Sequence, residues 1–178
     1  MTTAHADAAV LEGDLVAFFD RFLTSADGAA AAAAAAALDA PAVLELRCTD
    51  PDVVLHVDVA ARTVARGPAE APGAVAEIAA RDLDDLLLDR LGPVEISRLL
   101  EEGRVHLEGP PPALAALLIL AGRLQPHYPA TLRERGRDDV LAAPGPEIGV
   151  IWEAEGPPPS LVGQRRPWQR ARPSRATD

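Results

Sequence analysis

Apolar positions in this chain change period several times, and each change predicts a different element. Over residues 7–24 they recur at three and four: Val10, Leu11, Leu15, Phe18, Phe19, Phe22 and Leu23. That spacing makes one apolar helical face. Three of the chain's six aromatic residues lie on it. Such a face docks on a sheet, lids a ligand cavity, or contacts a second copy. Ser25-Ala26-Asp27-Gly28 reads as a break, and nine alanines follow at 29–37. Alanine is the best helix former but buries little, so this run is either a surface helix or a low-complexity connector. Asp39-Ala40-Pro41 ends it, because the residue before proline avoids the helical region.

From residue 42 the period drops to two. Leu44, Leu46 and Cys48 share one strand face, with Glu45 and Arg47 on the other. Thr49-Asp50-Pro51-Asp52 is a turn by composition. Val53, Leu55, Val57 and Val59 then alternate with Val54, His56 and Asp58. A short third strand at 63–66 closes on Gly67-Pro68. The pattern predicts an antiparallel meander with one face on a core.

Residues 74–124 hold most of the remaining bulk. A fourth strand is expected at 74–80. Asp82 is a candidate helix N-cap, with Asp84 and Asp85 in the first turn, where the helix dipole favours acids. Leu83, Leu86, Leu87 and Leu91 form a stripe that Leu88 widens, and Gly92-Pro93 stops it. Val94, Ile96, Leu99 and Leu100 mark a second helix, ended by Gly103. Arg104 to Glu108 alternates as a fifth strand, with Val105 and Leu107 inward. Pro112 suits the first turn of the next helix, whose residues 113–120 are all apolar. Residues 125–129 read as a break and 130–140 as a charged surface helix. From Pro144 periodicity fades. Five arginines and Trp168 follow residue 160 against one acid, Asp178, which describes either a disordered tail or a docking arm.

The chain therefore divides by expectation into residues 1–41 (helix and alanine-rich segment), 42–143 (sheet and helices) and 144–178 (a Pro/Arg-rich extension). The fold class is α+β. It is a five-stranded, mainly antiparallel sheet covered on one face by helices, with an extra N-terminal helical segment. The net charge of −10 argues against nucleic acid or an anionic membrane surface as partner. A single cysteine, Cys48, excludes an internal disulfide and a multi-cysteine metal site. No metal and no cofactor is expected. The 17 basic residues are all arginine, the usage of a high-GC, bacterial genome. With no secretory signal and no apolar span, a soluble cytoplasmic protein is expected.

Ala76-Glu77-Ile78 running into Arg81-Asp82-Leu83, the Gly92-Pro93 break and the strand Glu102-Gly103-Arg104-Val105-His106-Leu107-Glu108-Gly109 occur in an order that resembles the sterol carrier protein type 2 domain. The apolar helix from Ala113 completes the likeness, which covers about residues 42–125. That resemblance implies a tunnel between a five-stranded sheet and its helices, holding a lipid or another apolar molecule.

The leucine stripes point the same way. A helix in a two-layer domain needs one apolar face, and these are broader. The surplus must meet core, partner or ligand. The candidate ligand-binding residues are Leu83, Leu86, Leu87, Leu99, Leu107, Leu114, Leu117 and Leu118. The small residues Ala113, Ala115, Ala116, Ala121 and Gly122 leave room beside them, and they equally allow close helix packing. The expected function is non-catalytic, carrier-type binding of a lipid or other apolar small molecule in an internal cavity. The alternative is a cyclase or isomerase of secondary metabolism using the same cavity, with His106, Glu108, Tyr128 or Trp152 supplying polar groups. His56, Asp58 and His106 would form an acid–base or metal site if their faces met. Stable membrane insertion is not expected. A homodimer or protein partner is a further expectation, through the N-terminal helix or the arginine-rich tail.

Overall fold

The inner face of the sheet organises the structure, a computed structural model that describes residues 7–146. These lie in a first compact unit, Met1–Pro146. The strands are β1 (Val43–Thr49), β2 (Val53–Asp58), β3 (Thr63–Arg66), β4 (Ala74–Ala79) and β5 (Val105–Glu108), in the order β3-β2-β1-β4-β5. All neighbours are antiparallel except β1 and β4, which run parallel. Register puts Leu46 opposite both Leu55 and Ala76, and Ala76 opposite Leu107. Cys48 likewise stands between Val53 and Ile78. The period-two pattern thus becomes one continuous apolar face, which the helices cover. The expected order of strands and helices from residue 42 to residue 124 is the order found.

α1 (Ala8–Thr24) starts on Asp7, whose carboxylate accepts the Ala9 N–H at 2.8 Å. Its predicted face is buried except at Val10, which is exposed: Leu11, Leu15, Phe18, Phe22 and Leu23 are fully covered. That face is occupied within the chain, against β2, β3 and the helices. The expected break at residues 25–28 shrinks to Ser25 alone. Its backbone is extended, its hydroxyl donates to Phe22 O at 2.6 Å and accepts Gly28 N–H at 3.1 Å. One residue therefore closes α1 and opens α2 (Ala26–Ala37), the alanine helix.

α3 (Ala80–Leu87) starts three residues earlier than an Asp82 cap implies, with Ala79 at the N-cap. Asp82 is not its cap: the carboxylate is taken by Arg104, at 3.1 and 2.5 Å. The helix also stops at Leu87 rather than at Gly92. Asp89 adopts φ 55, and Arg90 N–H reaches Asp85 O at 2.8 Å while Asp89 N–H reaches Leu86 O at 3.3 Å. That is a Schellman closure made by an aspartate where glycine is usual. α4 (Pro93–Glu101) ends with the same pair of bonds around Gly103, as expected.

α5 (Pro111–Leu124) has prolines in its first turn. The expected break at 125–129 is instead mostly helix, because Pro126 and Pro129 sit at or near a helix start, where a missing N–H costs nothing. α6 (His127–Glu134) ends at Gly136, φ 69, and α7 (Asp138–Ala142) follows. The continuous helix predicted over 130–140 is thus two. Tyr128, Leu132 and Val140 are fully buried, so this region is core as well as surface.

Asp14 ties the two ends of the unit together. It is buried on α1 and accepts from Arg135 Nε at 2.5 Å and from Arg137, on either side of the α6–α7 turn. A carboxylate taken from water is tolerated only when its oxygens are met in this way. Asp14→Ala is expected to lower the unfolding free energy by about 3–5 kcal/mol, as for breaking a buried ion pair. Urea unfolding followed by far-UV circular dichroism measures it; a loss below about 0.5 kcal/mol, the scale of an exposed pair, refutes the tie.

Candidate functional site

The helices and the sheet leave a small gap near one end of β1. α2 gives Ala31, Ala34 and Ala35 to its wall. The α2–β1 connection and β1 itself give Pro41, Ala42, Val43 and Leu44, and Val59 and Ala74 stand beside them. α5 gives Ala113, Ala116, Leu117 and Leu120. Every side chain in that wall is hydrocarbon. The space is about 30 Å³, a crevice that opens to solvent beside the exposed Pro41. The gap exists because two helices meet here through methyl groups. Alanine carries the backbone into contact range but has no side chain long enough to fill what remains between the axes and the sheet.

Of the eight leucines expected to line a ligand site, Leu117 lines this cavity. Leu83 and Leu87 are buried in the core, with Leu86 packed against it. Leu99 is buried on α4, and Leu107 and Leu114 are half-buried. The Leu118 side chain lies outside the described residues. Ala113 and Ala116, singled out as small, do line the gap. The alanine run on the other side reads from its sequence as a surface helix or connector, with no ligand signal of its own. Ala31, Ala34 and Ala35 face Ala113 and Ala116, and methyl groups alone do not close the space between the two helices.

The candidate polar groups do not gather. His106 stands on the outer face of the sheet, 60% exposed, with Nε2 2.9 Å from Glu108 Oε1. Tyr128 is fully buried on the inner side. Its ring meets Phe18 edge-on, with centroids 5.0 Å apart, and its hydroxyl donates to Asp84 Oδ1 at 2.5 Å. Burial, and then the nearby Asp84 charge, push the phenol well above its usual range. Tyr128 is therefore a neutral donor inside the core and does not stand at a pocket mouth. Trp152 lies outside the described residues, as does the arginine-rich tail. Cys48 is the small core residue expected: burial, with Asp84 adding to it, pushes its thiol up to about 12, far from a reactive thiolate.

His56, Asp58 and His106 share the outer face but not a site. His56 lies opposite Glu45, and His106 opposite Glu77 in the next row, with β1 and β4 between the two histidines. Among the described residues no three His, Cys, Asp or Glu side chains are placed to hold a metal ion. What occupies this face is a strap. The β3–β4 connection, residues 67–73, must pass from one edge of the sheet to the far side of β1, and it crosses the outer face. Glu45 anchors it. The carboxylate is 1% exposed, accepts Ala69 N–H at 2.7 Å and takes Arg47 Nε at 2.7 Å. His56 Nδ1–H donates to Gly67 O at 3.0 Å. Burial alone would raise the Glu45 carboxyl, but the Ala69 amide and the Arg47 guanidinium outweigh it and hold the group below its ordinary 4.5.

The chain matches no protein-family model and no curated protein sequence. Its structure is similar to solved sterol carrier proteins. The sterol carrier protein 2 of Yarrowia lipolytica, in its apo form, is 12% identical, with 70% of this chain and 98% of that one covered at a TM-score of 0.49. Domain 2 of the sterol carrier protein of Helicoverpa armigera is 12% identical over 71% and 95%, at 0.49. A UbiJ-SCP2 ubiquinone synthesis protein is 17% identical over 65% and 96%, at 0.47. The likeness is one of architecture. Among the described residues no helix is long and apolar enough to cross a membrane.

The Glu45 anchor has a pH signature. Its folded-state pKa lies below the ordinary value, so its stabilisation is complete above about pH 4.5 and is lost as pH falls through the folded value. Glu45→Gln is expected to cost about 1.5–3 kcal/mol at pH 7, the scale of hydrogen bonds to a charged group. The gap between the two proteins should narrow progressively as pH falls below the ordinary 4.5. Parallel thermal melts from pH 3 to 7 decide; a difference that stays constant with pH removes the carboxylate from the account.

Proposed function

We propose that this protein binds an apolar small molecule or the hydrocarbon part of a lipid between α2, α5 and the start of β1, as a carrier and without turnover. The observation that carries the reading is the wall itself: thirteen residues from both helices and the sheet, with no charged or hydrogen-bonding side chain among them. Apolar walls with few polar groups are the general character of small-molecule pockets. A hydrocarbon wall offers water no hydrogen-bond partner and favours an apolar occupant. Each CH₂ moved from water into such surroundings contributes roughly 0.8 kcal/mol, so a chain of several carbons binds without polar anchors. The wall offers no acid, base or nucleophile to a bound molecule, which favours holding over chemistry. The proposed ligand-contacting residues are Ala34, Ala35, Ala116, Leu117 and Leu120. Leu117 is the member carried over from the leucine set.

Titration with cis-parinaric acid, a fluorescent fatty acid, tests this directly. Micromolar binding is expected. Ala116→Phe, which fills the gap, should weaken it at least tenfold, and Ala34→Leu should weaken it less. Val94→Ala, at a 62% exposed position on α4, should leave it unchanged. Equal binding by Ala116→Phe, or none by the wild type, rejects the proposal.

A further inference from the structure

We infer that α2 is the gate of the apolar site, swinging its C-terminal half away from α5 while its N-terminal end stays pinned. This rests on the proposed function. The gap holds about 30 Å³, whereas pockets for small molecules run to roughly 300–1,000 Å³. A long-chain ligand covered on all sides there therefore requires a wall to move.

The three walls differ in what moving them costs. The sheet wall, with Leu44, Val59 and Ala74, belongs to or flanks hydrogen-bonded strands. α5 carries Leu120 and Leu124 into the core, both buried. α2 carries one buried apolar side chain, the methyl of Ala31; its other buried residue is Gly28. Apolar stabilisation scales with area removed from water, so α2 is held least.

Its two ends are held unequally. At the N-terminal end the backbone at Gly28 lies directly on the end of α1: a Cβ there would stand 2.3 Å from Phe22 O. Ser25 caps that end, and the Asp27 carboxylate takes His127 Nε2–H at 3.0 Å and faces Arg123 at 3.7 Å. At the other end Ala36, Ala37, Leu38 and Asp39 are exposed. Asp39 turns the chain with φ 51. Pro41 then packs on Gly73 so closely that a Cβ there would overlap its ring. The chain is thus fixed at Gly28 and again at Pro41, and the half-helix between, with its exposed turn, covers the gap. It is hinged where it is tight and loose where it must open.

The full-length protein labelled with nitroxides at Ala36→Cys and Gly122→Cys reports the α2–α5 separation. Both positions are exposed, and nothing lies within 4 Å of a Cβ at 122. Cys48, 3% exposed, is not expected to take label. A control pair joins Val10→Cys on α1 to the same Gly122→Cys. Pulsed electron paramagnetic resonance is run with and without saturating cis-parinaric acid, whose fluorescence reports binding in the same sample. The α2–α5 distance is expected to lengthen by several ångströms while the α1–α5 distance holds. Binding with both distances unchanged, or with both changed alike, overturns the gate and leaves the lipid reading standing. No binding removes the lipid reading and the gate together.

Discussion

Three buried carboxylates on one short helix set the geometry on which everything else rests. α3 is eight residues long, and Asp82, Asp84 and Asp85 are all nearly inaccessible. Each is met by a different part of the chain. Asp82 takes Arg104 at the entrance to β5. Asp84 takes the Tyr128 hydroxyl from α6. Asp85 takes Arg90 at 3.3 Å, and the same guanidinium donates to the Val140 and Leu141 carbonyls of α7. Burying a carboxylate costs several kcal/mol before its partner is counted. The residue of that cost is visible at Asp85, whose carboxyl burial lifts above its ordinary value despite Arg90. An apolar α3 would pack against the sheet in many rotations about its axis. Three directional contacts admit one, and with it one placement each for β5, α6 and α7.

That division of labour explains what was legible in the sequence. Period-two stripes such as Leu44-Leu46-Cys48 and Val53-Leu55-Val57 name the strands and their inner face, because burial of one face leaves no other register. The helix closure at Gly103 was legible because glycine advertises a left-handed residue. Asp89 performs the same closure and advertises nothing, so α3 appeared to run on to Gly92. The acids of α3 look like dipole-stabilising residues on a surface helix. Their partners, Arg104, Tyr128 and Arg90, stand 22, 44 and 5 residues away, and no local pattern announces such pairings. The same holds for Asp14 and for Glu45, polar positions in the sequence that are among the most enclosed groups in the fold.

The leucines misdirect attention for a related reason. A bulky aliphatic side chain is the residue most able to fill space, so a leucine-rich stripe is as good a recipe for solid core as for a cavity. Leu83 and Leu87 are packed in the core. Space persists where side chains are too short to cross it, which is between the alanines of α2 and those of α5. Bulk in the sequence marks where the structure is closed, and lack of bulk marks where it is thin.

The strap and the alanine helix then appear as two answers to one topological demand. A parallel β1–β4 pair inside a mixed sheet requires a connection from the β3 edge over one face. On the outer face that connection is short and rich in proline and glycine, and a single enclosed carboxylate with its amide and guanidinium partners holds it down. On the inner face the helices supply the cover, and α2 supplies the weakest part of it. Weakness there is inexpensive for the fold, because α1 with its three phenylalanines already secures the N-terminal segment to β2 and β3. A segment that contributes little to stability is free to move without unfolding what it covers. The low bulk that leaves the gap beneath α2 is thus the same property that loosens the helix above it.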